Sequence, residues 1–148
     1  MLMSLIPPKS KNEGVQKSIE QKMSKSNPAS AIFMTDTKEE IKDKFKKAYC
    51  PEGQIKDNPV LEYCEYIIFE KIEKFVIERS EKFGGEISFK NYSELELAFK
   101  KKQVHPLDLK KASAKYLNEF LEPIRNYFKS NKKARELLKQ VEGFQVTR

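Results

Sequence analysis

Between Thr37 and Tyr49 the apolar residues recur at helical spacing, with Ile41, Phe45, Ala48 and Tyr49 on one face and lysines and acids on the rest. Thr37 and Glu40 form a capping box: the hydroxyl accepts from a free backbone N–H while the carboxylate reaches back. Pro51 and Gly53 are expected to end this helix. Asn58-Pro59, a cap residue before proline at the first helical position, predicts a second helix with Leu61, Cys64, Ile67 and Ile68 inside. The period then changes to two. Phe75 and Ile77, then Ile87 and Phe89, alternate with polar or small neighbours around Gly84-Gly85, which predicts a short β-hairpin.

Helical spacing returns at "NYSELELAFKKK", where Ser93 and Glu96 read as another capping box. The longest helical segment starts near His105 and carries Leu107, Ala114, Leu117, Leu121, Ile124 and Phe128 along one side. Pro123 is expected to kink it by removing a backbone donor. A last helix over Asn131 to Glu142 presents Ala134, Leu137, Leu138 and Val141, with Gly143 as its stop and Phe144 as a docking residue in the tail. Residues 1–30 show neither period and read as an extended arm and loop, followed by a short extended piece at Ser30–Met34. The fold class is mainly α, with one short hairpin and an N-terminal arm.

Length changes this picture little: 148 residues suit one domain, or one domain plus an arm. Charge adds a partner class. The net charge of +7 favours a polyanion, and nucleic acid is the first candidate, although a lysine-rich soluble protein would look the same. Cys50 and Cys64 fit neither a disulfide framework nor a zinc spacing, and the single histidine, His105, is far from both in sequence, so two free thiols and no metal are expected. No run approaches a membrane span, and "MLMSLIPP" is too short for a secretory signal; a soluble cytoplasmic protein is expected.

Three groups of residues carry candidate chemistry. Lys22-Met23-Ser24-Lys25-Ser26 places two lysines beside small hydroxyl residues, a combination able to close on a polyphosphate and stabilise charge on a leaving pyrophosphate. Phe83 in "KFGG" with His105 and Asp108 in "VHPLDLK" supplies two rings that can stack on unpaired bases and a carboxylate that can accept from guanine's Watson–Crick donors. Each of these also admits a structural role: Phe83 in the core, His105-Pro106 as a helix start, Asp108 as a first-turn acid. The lysine runs at Lys42–Lys47, Lys100–Lys102, Lys110-Lys111 and Lys132-Lys133 can meet phosphates or simply face solvent.

Taken in order, "KMSKS", "KKAYCPEG" (Lys46 to Gly53), "KFGGEI" (Lys82 to Ile87), "HPLDLK" (His105 to Lys110) and "LEPIR" (Leu121 to Arg125) resemble the C-terminal part of the tyrosyl-tRNA synthetases of archaeal and eukaryotic cytosolic type. The resemblance covers about residues 20–148. It implies a helical anticodon-binding domain over 35–148, preceded over 1–34 by the loop-bearing edge of a catalytic domain. It further implies that Lys22 and Lys25 assist tyrosine activation by ATP with Mg in the full enzyme, with no cofactor held by this chain itself. Phe83 and His105 would stack around the first anticodon base of tyrosine tRNA, Asp108 would bond its edge, and Tyr49, Cys50 and Pro51 would lie near the middle base. The family's His-x-Gly-His signature cannot exist in a sequence whose one histidine is His105. The chain is therefore expected to lack the catalytic half, whether by a natural split or by truncation, to be inactive alone, and to be monomeric where the full enzyme is a homodimer. The competing expectation is a stand-alone RNA-binding or interaction module that kept the fold without the ligase.

Overall fold

The computed structural model describes residues 2–6, 23 and 27–144. Its helices are α1 (Lys38–Lys47), α2 (Pro59–Tyr63, continued by one π-turn over Cys64–Ile68), α3 (Tyr92–Lys100), α4 (Pro106–Ser130) and α5 (Lys132–Glu142). Between α2 and α3, strands β1 (Phe75–Ile77) and β2 (Ile87–Phe89) pair antiparallel in the register Phe75–Phe89, Val76–Ser88, Ile77–Ile87. The expected mainly helical architecture with one hairpin is therefore present.

α4 is the central element, packed by α1, α2 and β1. One core runs through Ile41 and Phe45 of α1, Val60, Leu61 and Cys64 of α2, Phe75 and Ile77 of β1, Leu95 and Phe99 of α3, and Leu109, Leu117 and Leu121 of α4. Tyr116 ties the hairpin to α4 twice: its ring lies 5.0 Å from that of Phe75, and its hydroxyl accepts from the Val76 N–H at 3.0 Å.

The predicted starts of α1 and α2 hold. Thr37 and Glu40 make both halves of the capping box, and the Asn58 side chain accepts from Val60 and Leu61 ahead of Pro59. Elsewhere the pattern was misread. α3 is capped by Asn91, not by a Ser93–Glu96 box; Asn91 Oδ1 accepts from Glu94 N at 3.0 Å and the Glu94 carboxylate from Lys90 N at 2.8 Å. Starting there adds Tyr92 to the helix, where it packs against the core. On α4 the buried face carries Leu109, whereas Leu107 is exposed, because Ser113 belongs to the buried stripe. Its hydroxyl is accommodated there by the thiol of Cys64 at 3.3 Å. α4 continues through Pro123 to Ser130.

α1 stops at Lys47, short of Tyr49 and Pro51, since the Tyr49 N–H donates to Leu5 O at 2.7 Å instead of to a helical carbonyl. The same contact anchors the described start of the arm: Leu5 is fully buried in the core, and its own N–H donates to Ser30 O at 2.9 Å, while residues 7–22 and 24–26 lie outside the described residues. Residues 31–36 are held as firmly. Lys44 of α1 donates to Ala31 O and pairs with Asp36, both side chains being largely buried, and Arg125 of α4 donates to Asp36 O. The stripe on α5 is the reverse case. Leu137 and Val141 are mostly exposed, and Phe144 does not dock.

Candidate nucleic-acid interface

At one end of the molecule two loops close by the same backbone device. After β1, a 3₁₀ turn over Glu81–Phe83 ends with Gly84 N donating to Glu81 O and Gly85 N to Ser80 O, which requires Gly84 to be left-handed at φ 90°. After α3, Lys102 N donates to Phe99 O and Gln103 N to Ala98 O, with Lys102 left-handed at φ 60°. Gly84 adopts that conformation without strain. Lys102 does not, and a side-chain-bearing residue there costs about 1–2 kcal/mol.

Arg79 joins the two loops. Its Nε donates to Gly85 O and its Nη1 to Gln103 O, each at 3.0 Å. The turn that carries Phe83 is thereby fixed against the segment that leads into α4. A third segment leans on the same place. The Glu52 carboxylate lies 3.7 Å from Lys102 Nζ, and the left-handed Gly53 leaves room for the Lys102 stem, which would stand 3.4 Å from a Cβ at that position. Beneath this, Lys110 of α4 donates to Lys46 O at the C-terminal end of α1, where helix carbonyls lack partners.

Within this frame Phe83 is 66% exposed, so it is not a core residue; Lys82 stands 5.9 Å from its ring centre. His105 caps α4, with Nδ1 accepting from Leu107 N at 3.2 Å, and with that nitrogen accepting, the ring proton sits on Nε2. The ring itself is exposed. Asp108 lies half-buried in the first turn of α4, where the helix dipole favours its charge. Tyr49 is half-buried and its hydroxyl donates to Gln54 Oε1. Cys50 is buried, with Sγ accepting from Asn58 Nδ2, and burial pushes its thiol up to about 11. Pro51 is half-buried beside it. Cys50 and Cys64 are both free thiols.

The structure thus brings "KKAYCPEG", "KFGG" and "HPLDLK" to one end. Lys22 and Lys25 lie outside the described residues. Of their pentapeptide only Met23 is described, its thioether accepting from the Tyr63 hydroxyl at 3.8 Å. Sequence reasoning missed Arg79, and read Lys102 only as part of a lysine run, without its left-handed turn. An arginine just before a Gly-Gly turn was the available signal for Arg79, but its second acceptor, Gln103, is 24 residues away.

Chemically, the end offers an exposed ring, an imidazole presenting an N–H, a part-exposed carboxylate, and the exposed cations Lys82, Lys101, Lys102 and Lys111. That set can stack on an unpaired base, accept from its edge and meet phosphates. Among the described residues no group of three His, Cys, Asp or Glu side chains could hold a metal, and no helix is long and apolar enough to cross a membrane.

Comparison with known proteins adds the family. The profile of tRNA synthetases class I (W and Y) matches residues 12–122. The chain is 48% identical over 129 residues to tyrosine–tRNA ligase 2, cytoplasmic, of Arabidopsis thaliana, covering 87% of this chain and 17% of that protein. To the tyrosine–tRNA ligase of Thermococcus sibiricus it is 46% identical over 147 residues, covering 96% of this chain and 38% of that protein. Its fold matches the crystal structure of tyrosyl-tRNA synthetase complexed with L-tyrosine from Pyrococcus horikoshii with a TM-score of 0.80 at 43% identity, over 94% of this chain and 39% of that one. The chain therefore spans well under half the length of these relatives, in their C-terminal part.

Proposed function

The chain belongs to the tyrosyl-tRNA synthetase family, and from that premise we propose that it supplies the anticodon-binding part of a cytoplasmic tyrosine–tRNA ligase. In this reading residues 35–148 form the tRNA-binding domain. Phe83 and His105 stack on the first anticodon base, a guanine, and Asp108 accepts from its edge. Tyr49, Cys50 and Pro51 lie near the middle base; the burial of Cys50 leaves its backbone, rather than its thiol, for that role. The observation that carries the proposal is the Arg79 bridge, which fixes the loop bearing an exposed Phe83 against the start of α4 that bears His105 and Asp108.

Residues 1–34 belong, on the same reading, to the edge of the catalytic portion. Lys22 and Lys25 would face ATP and its Mg in the whole enzyme and stabilise charge on the leaving pyrophosphate. These 148 residues alone are expected to support no ATP–pyrophosphate exchange.

The test is binding of the chain to a tyrosine anticodon stem-loop and to the same loop with its first anticodon base changed from guanine. Preference for guanine is expected. Equal, strongly salt-sensitive binding of both loops would replace base recognition with general backbone attraction.

A further inference from the structure

Each loop at the interface reverses on a left-handed residue, Gly84 or Lys102, and Arg79 takes the carbonyl of the residue immediately after it, Gly85 or Gln103. Neither acceptor is charged. The bridge therefore does nothing to neutralise Arg79, as an ion pair would; what it does is fix the separation of two backbones. A guanidinium is suited to this, because Nε and an Nη on the same rigid plane can reach two acceptors in a set geometry, whereas an ammonium on a flexible stem cannot. Lys102 points the same way. A strained conformation persists only where its surroundings hold it, and here the chain reverses at Lys102 directly before Gln103, whose carbonyl accepts from Arg79.

We infer that Arg79 is the positioning residue for guanine recognition: by spanning Gly85 and Gln103 it sets the gap between Phe83 and His105 in which the base is held. The inference rests on the proposed anticodon reading and adds a residue that does not itself touch the base. A slot of set width favours the base whose edge then meets Asp108, so loosening the bridge removes preference before it removes attraction to phosphate.

The test compares Arg79→Lys and Arg79→Gln with the unaltered chain on the guanine stem-loop and on the same loop with adenine at that position, across a salt series, with thermal melts as a control for folding. Arg79→Lys is the informative variant because it keeps the charge. The expected result is a loss of about tenfold in guanine-over-adenine preference, the scale of one good base contact, with adenine-loop affinity and salt slope unchanged. Arg79→Lys behaving as the unaltered chain, with Arg79→Gln weakening both loops evenly and flattening the salt slope, would make Arg79 a phosphate contact and overturn the inference while leaving the proposed function standing. Absence of preference in the unaltered chain would overturn both. A second measurement needs no variant: the Arg79 Nε–H resonance in the free, labelled chain is expected to be protected from solvent exchange, and rapid exchange there would overturn the bridge.

Discussion

Two ends of this molecule expose aromatic rings to almost the same degree, Phe83 at 66% and Phe144 at 71%. What lies beneath them differs. Phe83 rides on a turn whose backbone is closed by two hydrogen bonds, bridged by Arg79 and continued into a hairpin whose Phe75 and Ile77 are fully buried. Phe144 follows α5, which packs on α4 and leaves Leu137 and Val141 outside. Exposure by itself therefore does not mark a recognition surface. An exposed ring on a fixed backbone is the better candidate, because a base can stack on it without first ordering the loop, and ordering a loop costs conformational entropy residue by residue.

The sharpest way to break the contrast is to remove the floor under the first ring. Phe75 packs against Tyr116 at 5.0 Å and Phe69 at 5.7 Å between ring centres, with no exposed surface. Phe75→Ala is expected to cost about 3–5 kcal/mol, measured by urea denaturation. A loss below about 0.5 kcal/mol, within what exposed positions show, would mean that the hairpin is not anchored as its packing implies.

Smaller changes act on the loop alone. Gly84→Ala puts a side chain at φ 90° and is expected to cost about 1–2 kcal/mol, while weakening the guanine stem-loop more than a loop lacking that base. Asp108→Ala is expected to lower guanine preference by about 1–3 kcal/mol, read as the ratio of affinities for the two loops; an equal loss on both would remove Asp108 from base recognition. The neighbouring lysines separate under the same assay. Lys111 is exposed, and its replacement by Ala should weaken both loops evenly and reduce the salt slope by about 1. Lys110, whose ammonium caps the end of α1, should instead show its loss in thermal stability.

Much of this was legible in sequence, and the reason is local. The Thr37–Glu40 capping box needs residues three apart, a proline start needs one neighbour, and a hairpin needs alternation on either side of Gly84-Gly85; these were read in place, although the same capping rule set the start of α3 at Ser93 instead of Asn91. The other misreadings depended on distant partners. The end of α1 is decided by Leu5, and the inner face of α4 by a serine whose hydroxyl finds Cys64. The candidate site divides in the same way. The order of short motifs pointed to Phe83, His105 and Asp108, whereas Arg79 and the strained Lys102, which bring their loops together, act across 24 residues and across a backbone conformation that no spacing displays.

Acid provides a gentler perturbation, at the start of α1. Hydrogen bonds from the Thr37 backbone N–H, and then from its hydroxyl, hold the Glu40 carboxyl below its ordinary value of 4.5. A carboxyl lowered on folding contributes stability above its unfolded value and loses it as pH falls through the folded one. Glu40→Gln is therefore expected to flatten the stability curve on the acid side of 4.5, while binding at neutral pH is unchanged. An unaltered acid limb would show that the capping box does not persist in solution.

The smallest effect is expected where the contrast is most exposed to error. Leu137→Gln and Val141→Gln replace outward apolar side chains on α5 by one of similar or better helix propensity. Each should change stability by no more than about 0.5 kcal/mol and leave stem-loop affinity and guanine preference as they were. A larger loss of stability in either variant would mean that this face is covered in solution. The two ends would then differ in what they bind, and no longer in whether their exposed residues rest on anything.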